Sequence, residues 1–189
     1  MGESEDRVTY VLVDGENVDA TLGTSILSRR PQPEERPRWD RLLQFAEEEW
    51  GRPARGLFFL AASNGELPMP FIQALLALGY RPIPLSGGPH EKVVDLAIQR
   101  TLVELQRRRS GDVMLVSHDG DFLPQLEGLL DGRRLAVVAF EEFRNSGFLR
   151  LADRGLEFFD LEYDVKAFRS HLPRVRVIPI DEFDPADFL

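Results

Sequence analysis

The chain has 189 residues, of which 43% are hydrophobic and 29% charged, and it contains no cysteine. That is enough for one domain with its own core, and it excludes both a disulfide scaffold and a thiolate metal site. A formal net charge of −9 argues against a polyanionic partner in bulk, leaving any such contact to local arginine clusters such as Arg29-Arg30, Arg52 with Arg55, and Arg107-Arg108-Arg109, each of which reads first as solvated surface.

No apolar run approaches the roughly 20 residues of a membrane span, so the expected setting is cytoplasmic. The polar, acidic segment 1–7 is expected to be disordered. Val8 to Val13 is a β-branched and aromatic run halted by Asp14-Gly15-Glu16-Asn17, which reads as a first strand and its turn. Asp14 or Asn17 then caps a helix over about 18–27, and taken alone Asp14 reads as that cap. Pro31, Pro33 and Pro37 keep 29–38 out of helix interior and central strand. The stretch reads as an exposed loop, a solvated connector ahead of a lid.

Trp39, Leu42, Leu43, Phe45 and Ala46 have helical spacing, and Gly51 closes that helix. Gly56 to Ala61 is a second strand, 70–78 a helix stopped by Gly79, and Tyr80 to Leu85 a strand whose prolines place it at a sheet edge. A glycine-rich turn leads into a long helix over about 91–108 with the core stripe Val94, Ile98, Leu102 and Leu105. Lys92 and Asp95 share one face near its start, where an acid also suits the helix dipole.

The fourth strand, Val113 to Val116, ends in Ser117 and presents Asp119 and Asp121 on either side of Gly120. A helix over 122–130, a strand over 134–140, a short helix over 146–152 and a short strand over 156–159 follow. This alternation predicts a Rossmann-like three-layer α/β/α domain over 8–161, with a central, mainly parallel sheet of five or six strands. From residue 162 to 189, prolines and an alternation of acids with large apolar groups mark an extension expected to pack on the domain or on a partner.

Parallel topology carries Asp14, Asp95, Asp119 and Asp121 to one rim, beyond the carboxyl ends of the strands, where open α/β sheets bind ligands. Like charges so gathered repel, and a cation relieves them. Carboxylates without cysteine or a histidine cluster suit Mg²⁺ or Mn²⁺, whose bound waters are nucleophiles for phosphodiester hydrolysis.

Three motifs, D-x-x-N at Asp14 to Asn17, K-x-V-D at Lys92 to Asp95 and S-x-D-x-D-F at Ser117 to Phe122, together resemble the NYN domain, in the LabA-like branch of the PIN-like nuclease superfamily. The resemblance runs from about residue 8 to 161. It implies a PIN-like sheet and metal-dependent cleavage of RNA, single-stranded or structured, with Asp14, Asp95, Asp119 and Asp121 as catalytic, metal-binding acids. It also implies that Asn17 and Ser117 position the ligands or the scissile phosphate, and that Lys92 holds a phosphate oxygen or orients Asp95. His118 fills a variable position and is expected to be an exposed loop residue. A catalytically silent RNA-binding or regulatory module is the alternative. A nucleotide phosphotransferase is a third, against which the missing G-x-x-x-x-G-K-[ST] pattern counts. DNA as substrate, a homodimer, and a protein partner held by the C-terminal tail stay open.

Overall fold

A computed structural model describes residues 7–62 and 65–189, so all but Arg7 of the segment expected to be disordered lies outside the described residues. Six strands, β1 (Thr9–Asp14), β2 (Ala54–Ala61), β3 (Tyr80–Leu85), β4 (Asp112–Val116), β5 (Leu135–Ala139) and β6 (Leu156–Asp160), form one sheet in the order β3-β2-β1-β4-β5-β6. Every neighbouring pair is parallel. The connections carry α1 (Gly15–Ala20), α2 (Trp39–Trp50), α3 (Met69–Ala77), α4 (Val93–Arg108) and α5 (Leu123–Gly128).

The period of two along β1 separates the layers: Val11 and Val13 pack with Leu42, Ala46 and Trp50 of α2, whereas Leu12 packs with Val94, Ile98 and Leu102 of α4. Strands β4 and β5 are wholly buried, as their uninterrupted apolar runs require in a sheet covered on both faces. β3 lies at an edge as expected. Its Pro82 and Pro84, opposite Phe58 and Leu60, could not supply ladder hydrogen bonds to a further strand. From β1 the chain builds outward through β2 to β3, then returns to β4 on the other side and builds through β5 to β6. Connections therefore diverge between β1 and β4, opening a crevice at their carboxyl ends.

Two segments differ from the sequence reading. The helix after β1 starts at Gly15 and passes at Thr21–Leu27 into π-helical turns. The 29–38 stretch is not a free connector: Arg29 donates to both carboxylate oxygens of Glu35 (2.7 and 2.6 Å), Pro31 and Pro37 are buried, and the Arg38 N–H donates to the Ala167 carbonyl (2.6 Å). No helix among the described residues is long and apolar enough to cross a membrane.

Beyond β6 the chain is held by Leu161, Val165 and Ala167, which are buried in the core, and then by the side chain of Arg174. The Arg174 guanidinium has 0% exposure and meets Glu142 (2.5 Å), Asp160 (2.6 Å) and Glu162 (3.1 Å), while stacking over Phe140 and Tyr163. Burial alone would weaken its charge and raise the Asp160 pKa, but the hydrogen bonds between them prevail, so Asp160 titrates below the ordinary range. After Arg174 the tail is exposed, with Val175, Val177 and Leu189 almost fully so.

Candidate metal centre

The first acid is placed by two local requirements at once. Asp14 ends β1 and caps α1, its Oδ1 accepting the Asn17 N–H at 3.3 Å, so reading it as a helix cap is correct as far as it goes. Yet its carboxylate is 2% exposed, which a cap does not need, and its Oδ2 accepts a 3.0 Å hydrogen bond from the Ser117 hydroxyl across the crevice. Burial pushes the Asp14 carboxyl up to about 6, against the two hydrogen bonds and with the help of charge on Asp95 and Glu16.

The other three acids meet in front of it. One carboxylate oxygen each from Asp95, Asp119 and Asp121 lies within 4.8 Å of the other two. Asp95 stands in the first turn of α4; burial, and then the charge on Asp119, raise its pKa. Asp119 caps the 3-10 turn Gly120–Phe122, accepting the Asp121 N–H at 2.9 Å, and its own N–H donates to Ser117 Oγ at 3.2 Å. Gly120 gives that turn room: a Cβ there would come within 2.5 Å of the Asn145 side chain and displace it from over the loop, where the Asn145 N–H donates to the His118 carbonyl at 3.1 Å. Gln99, one turn after Asp95, donates to the Asp121 carbonyl (3.2 Å) and ties α4 to the loop. Asp14 does not join the close trio but lies behind it, linked to it through Ser117 and by its repulsion of Asp95.

Lys92 is the nearest cation. Its Nζ, on an exposed side chain, is 3.3 Å from Asp121 and 3.6 Å from Asp95, and the hydrogen bond and charges of these acids and Asp119 raise its pKa.

His118 overturns the expectation of an exposed loop residue. It is 6% exposed, its ring stacks on Phe140 at 5.5 Å, and its Nε2 accepts the Phe140 N–H at 2.8 Å. Since a backbone N–H can only donate, Nε2 carries no proton and Nδ1 does. Nδ1–H then faces Asn17 Oδ1 (2.8 Å) and Thr21 Oγ1 (3.3 Å), while the Thr21 hydroxyl donates a hydrogen bond to the Asn17 main-chain carbonyl (2.9 Å). Burial pushes the imidazole down to about 4, consistent with a neutral ring. Asn17 Oδ1 also accepts the His118 N–H (2.8 Å), so the carboxamide oxygen is fully engaged and its NH₂ is left to donate elsewhere. The sequence signal for this role was the histidine inside an otherwise acidic loop. Its partner, the Phe140 N–H, is 22 residues away and invisible to spacing.

The donor set decides which cation fits. His118 has both ring nitrogens committed, and Asp95, Asp119 and Asp121 offer only oxygen, which suits a hard divalent ion rather than zinc.

A profile of the family described as NYN domain matches residues 8–162. No curated protein sequence matches the chain. Among solved structures, a Vibrio parahaemolyticus protein of unknown function is similar, with a TM-score of 0.65 at 19% identity, covering 87% of this chain and 98% of that one. That likeness is one of fold alone, a parallel sheet covered by helices on both faces.

Proposed function

The chain belongs to the NYN domain family of the PIN-like nuclease superfamily, and on that premise we propose that it is a ribonuclease of the LabA-like branch, hydrolysing RNA phosphodiester bonds with Mg²⁺ or Mn²⁺. Residues 8–161 form the catalytic unit on this reading, and 162–189 an extension anchored on it through Arg174. The observation that carries the proposal is the convergence of Asp95, Asp119 and Asp121, with Asp14 buried behind them, at the crevice between β1 and β4.

The metal, held by Asp95, Asp119 and Asp121 with Asp14 in support, would supply a lowered pKa to the attacking water and neutralise charge growing on the phosphate. The protein's own groups do the rest. The Ser117 hydroxyl donates to Asp14 and accepts the Asp119 N–H, and so fixes both the buried acid and the loop. Asn17, turned by His118, presents its NH₂ as a donor to the scissile phosphate or the incoming water. Lys92 stands where it can take a phosphate oxygen once the metal has taken over its acids. Purified protein, incubated with labelled single-stranded and structured RNAs in Mn²⁺, Mg²⁺ or EDTA, should cleave only with metal, and Asp119→Asn should abolish cleavage. Cleavage that survives EDTA or that substitution defeats the proposal.

One observation favours the second reading, a silent RNA-binding module: the Lys92 ammonium already pairs with Asp95 and Asp121, two of the acids to which the metal would bind. That reading expects salt-sensitive RNA binding without cleavage in Mn²⁺.

A further inference from the structure

The carboxyl rim of the sheet holds a second feature, on the β2 side of Asp14 and away from the Asp119 loop. A cavity of about 510 Å³ is lined, among the described residues, by Trp39, Phe58 and Phe71 together with Glu16, Arg30 and Arg36. Size and lining are those of a small-molecule site, a mainly apolar wall with a few charged groups. The aromatics are braced edge to face, Trp39 on Phe58 at 5.0 Å and Phe58 on Phe71 at 5.4 Å, with Phe71 half-buried. Gly15 and Glu16, which also line it, directly follow Asp14, and the charge on Glu16 acts on the Asp14 carboxyl, so the cavity neighbours the acidic crevice. Arg36 is engaged by Asp19 at 2.8 Å, whereas Arg30 has no ion pair among the described residues.

We propose that this cavity receives a guanine base of the RNA strand adjacent to the scissile phosphate. The inference rests on the ribonuclease reading and adds a substrate preference to it. Trp39 and Phe58 are buried and brace Phe71, whose accessible face offers stacking, which every base can use. Arg30 offers a phosphate partner that Arg36, already paired, does not. Discrimination falls to Glu16. One of its oxygens accepts the Ala61 N–H at 3.3 Å, which orients a carboxylate that can only accept hydrogen bonds. On its Watson–Crick edge, guanine alone presents two adjacent donors, N1–H and the N2 amino group. Adenine and cytosine set a ring acceptor beside their single amino donor, and uracil flanks its one donor with two carbonyl oxygens. A carboxylate therefore attracts guanine and repels part of each other edge.

The test reads binding with catalysis switched off. Short labelled oligouridylates carrying one guanine, adenine or cytosine are titrated in EDTA and followed by fluorescence anisotropy. The guanine oligomer should bind about tenfold more tightly than the others, the discrimination typical of a paired base-edge contact. Phe71→Ala should weaken binding of every oligomer about tenfold through lost stacking. Glu16→Gln replaces two acceptors by one acceptor and one donor and should move the preference to adenine and cytosine, a switch that a folding defect does not produce. Equal affinities for all bases, a guanine preference unchanged in Glu16→Gln, or no binding at all would each overturn the proposal. If metal-dependent cleavage is then observed with no base preference, this proposal fails and the ribonuclease reading stands. If guanine preference appears without cleavage, the cavity assignment stands and the ribonuclease reading fails.

Discussion

Replacing Asp14 by asparagine should make the metal-free protein more stable while removing its activity. Asp14 is 2% exposed, and burial raises its pKa from 3.8 to about 6. The fold therefore favours the protonated acid: stability from this group is complete below about pH 3.8 and is lost as pH rises through 6. That gap converts to about 3 kcal/mol of penalty at pH 7.5, at about 1.4 kcal/mol for each pH unit. Asparagine is neutral at every pH and escapes it. Its carboxamide oxygen can still accept the Asn17 N–H, but its NH₂ must donate to Ser117 Oγ where the carboxylate accepted, costing about 1 kcal/mol. The net gain is about 2 kcal/mol, or about 4–8 °C in melting temperature for a domain of this size. Thermal melts of both proteins in EDTA, from pH 3.5 to 7.5, measure it. The advantage should shrink steadily below pH 6, reach zero near about pH 4.5 and turn into a deficit of about 1 kcal/mol near pH 3.5. Equal stability at pH 7.5, or a difference that does not change with pH, would refute the electrostatic account of the site.

Three further outcomes follow from other contacts. His118→Leu leaves the buried Phe140 N–H without an acceptor and should cost about 1–3 kcal/mol at pH 7.5 in a denaturant titration. Because the native imidazole is held neutral near pKa 4, its contribution is present above pH 6.5 and lost as pH falls through 4, so the cost of that variant should shrink across this window. Lys92→Met should tighten Mn²⁺ binding several-fold by calorimetry yet slow cleavage, since the ammonium competes with the ion but assists the phosphate; weaker Mn²⁺ binding contradicts this role. Arg174→Ala leaves buried Asp160 and Glu162 uncompensated and should lower stability by about 3–5 kcal/mol, read by chemical denaturation. A loss below about 1 kcal/mol would show that the extension is not anchored there.

What the sequence alone determined is whatever depends on neighbours along the chain. The uninterrupted runs Val11 to Val13, Val113 to Val116 and Leu135 to Ala139 demanded strands covered on both faces, and Pro82 and Pro84 demanded an edge. Acids at strand ends and in the first turn of α4 were legible for the same reason, because parallel topology sends all such positions to one rim. Tertiary structure decided which of these acids approach closely enough to share an ion, setting Asp14 behind Asp95, Asp119 and Asp121 although nothing in the spacing distinguishes them. It likewise turned His118 inward and buried Arg174, because the partners that satisfy them, the Phe140 N–H and the acids Glu142 and Asp160, come from the turn after β5 and from β6. A buried polar group is stable only where another segment completes its hydrogen bonds, and that completion is set by how the layers pack rather than by the order of residues.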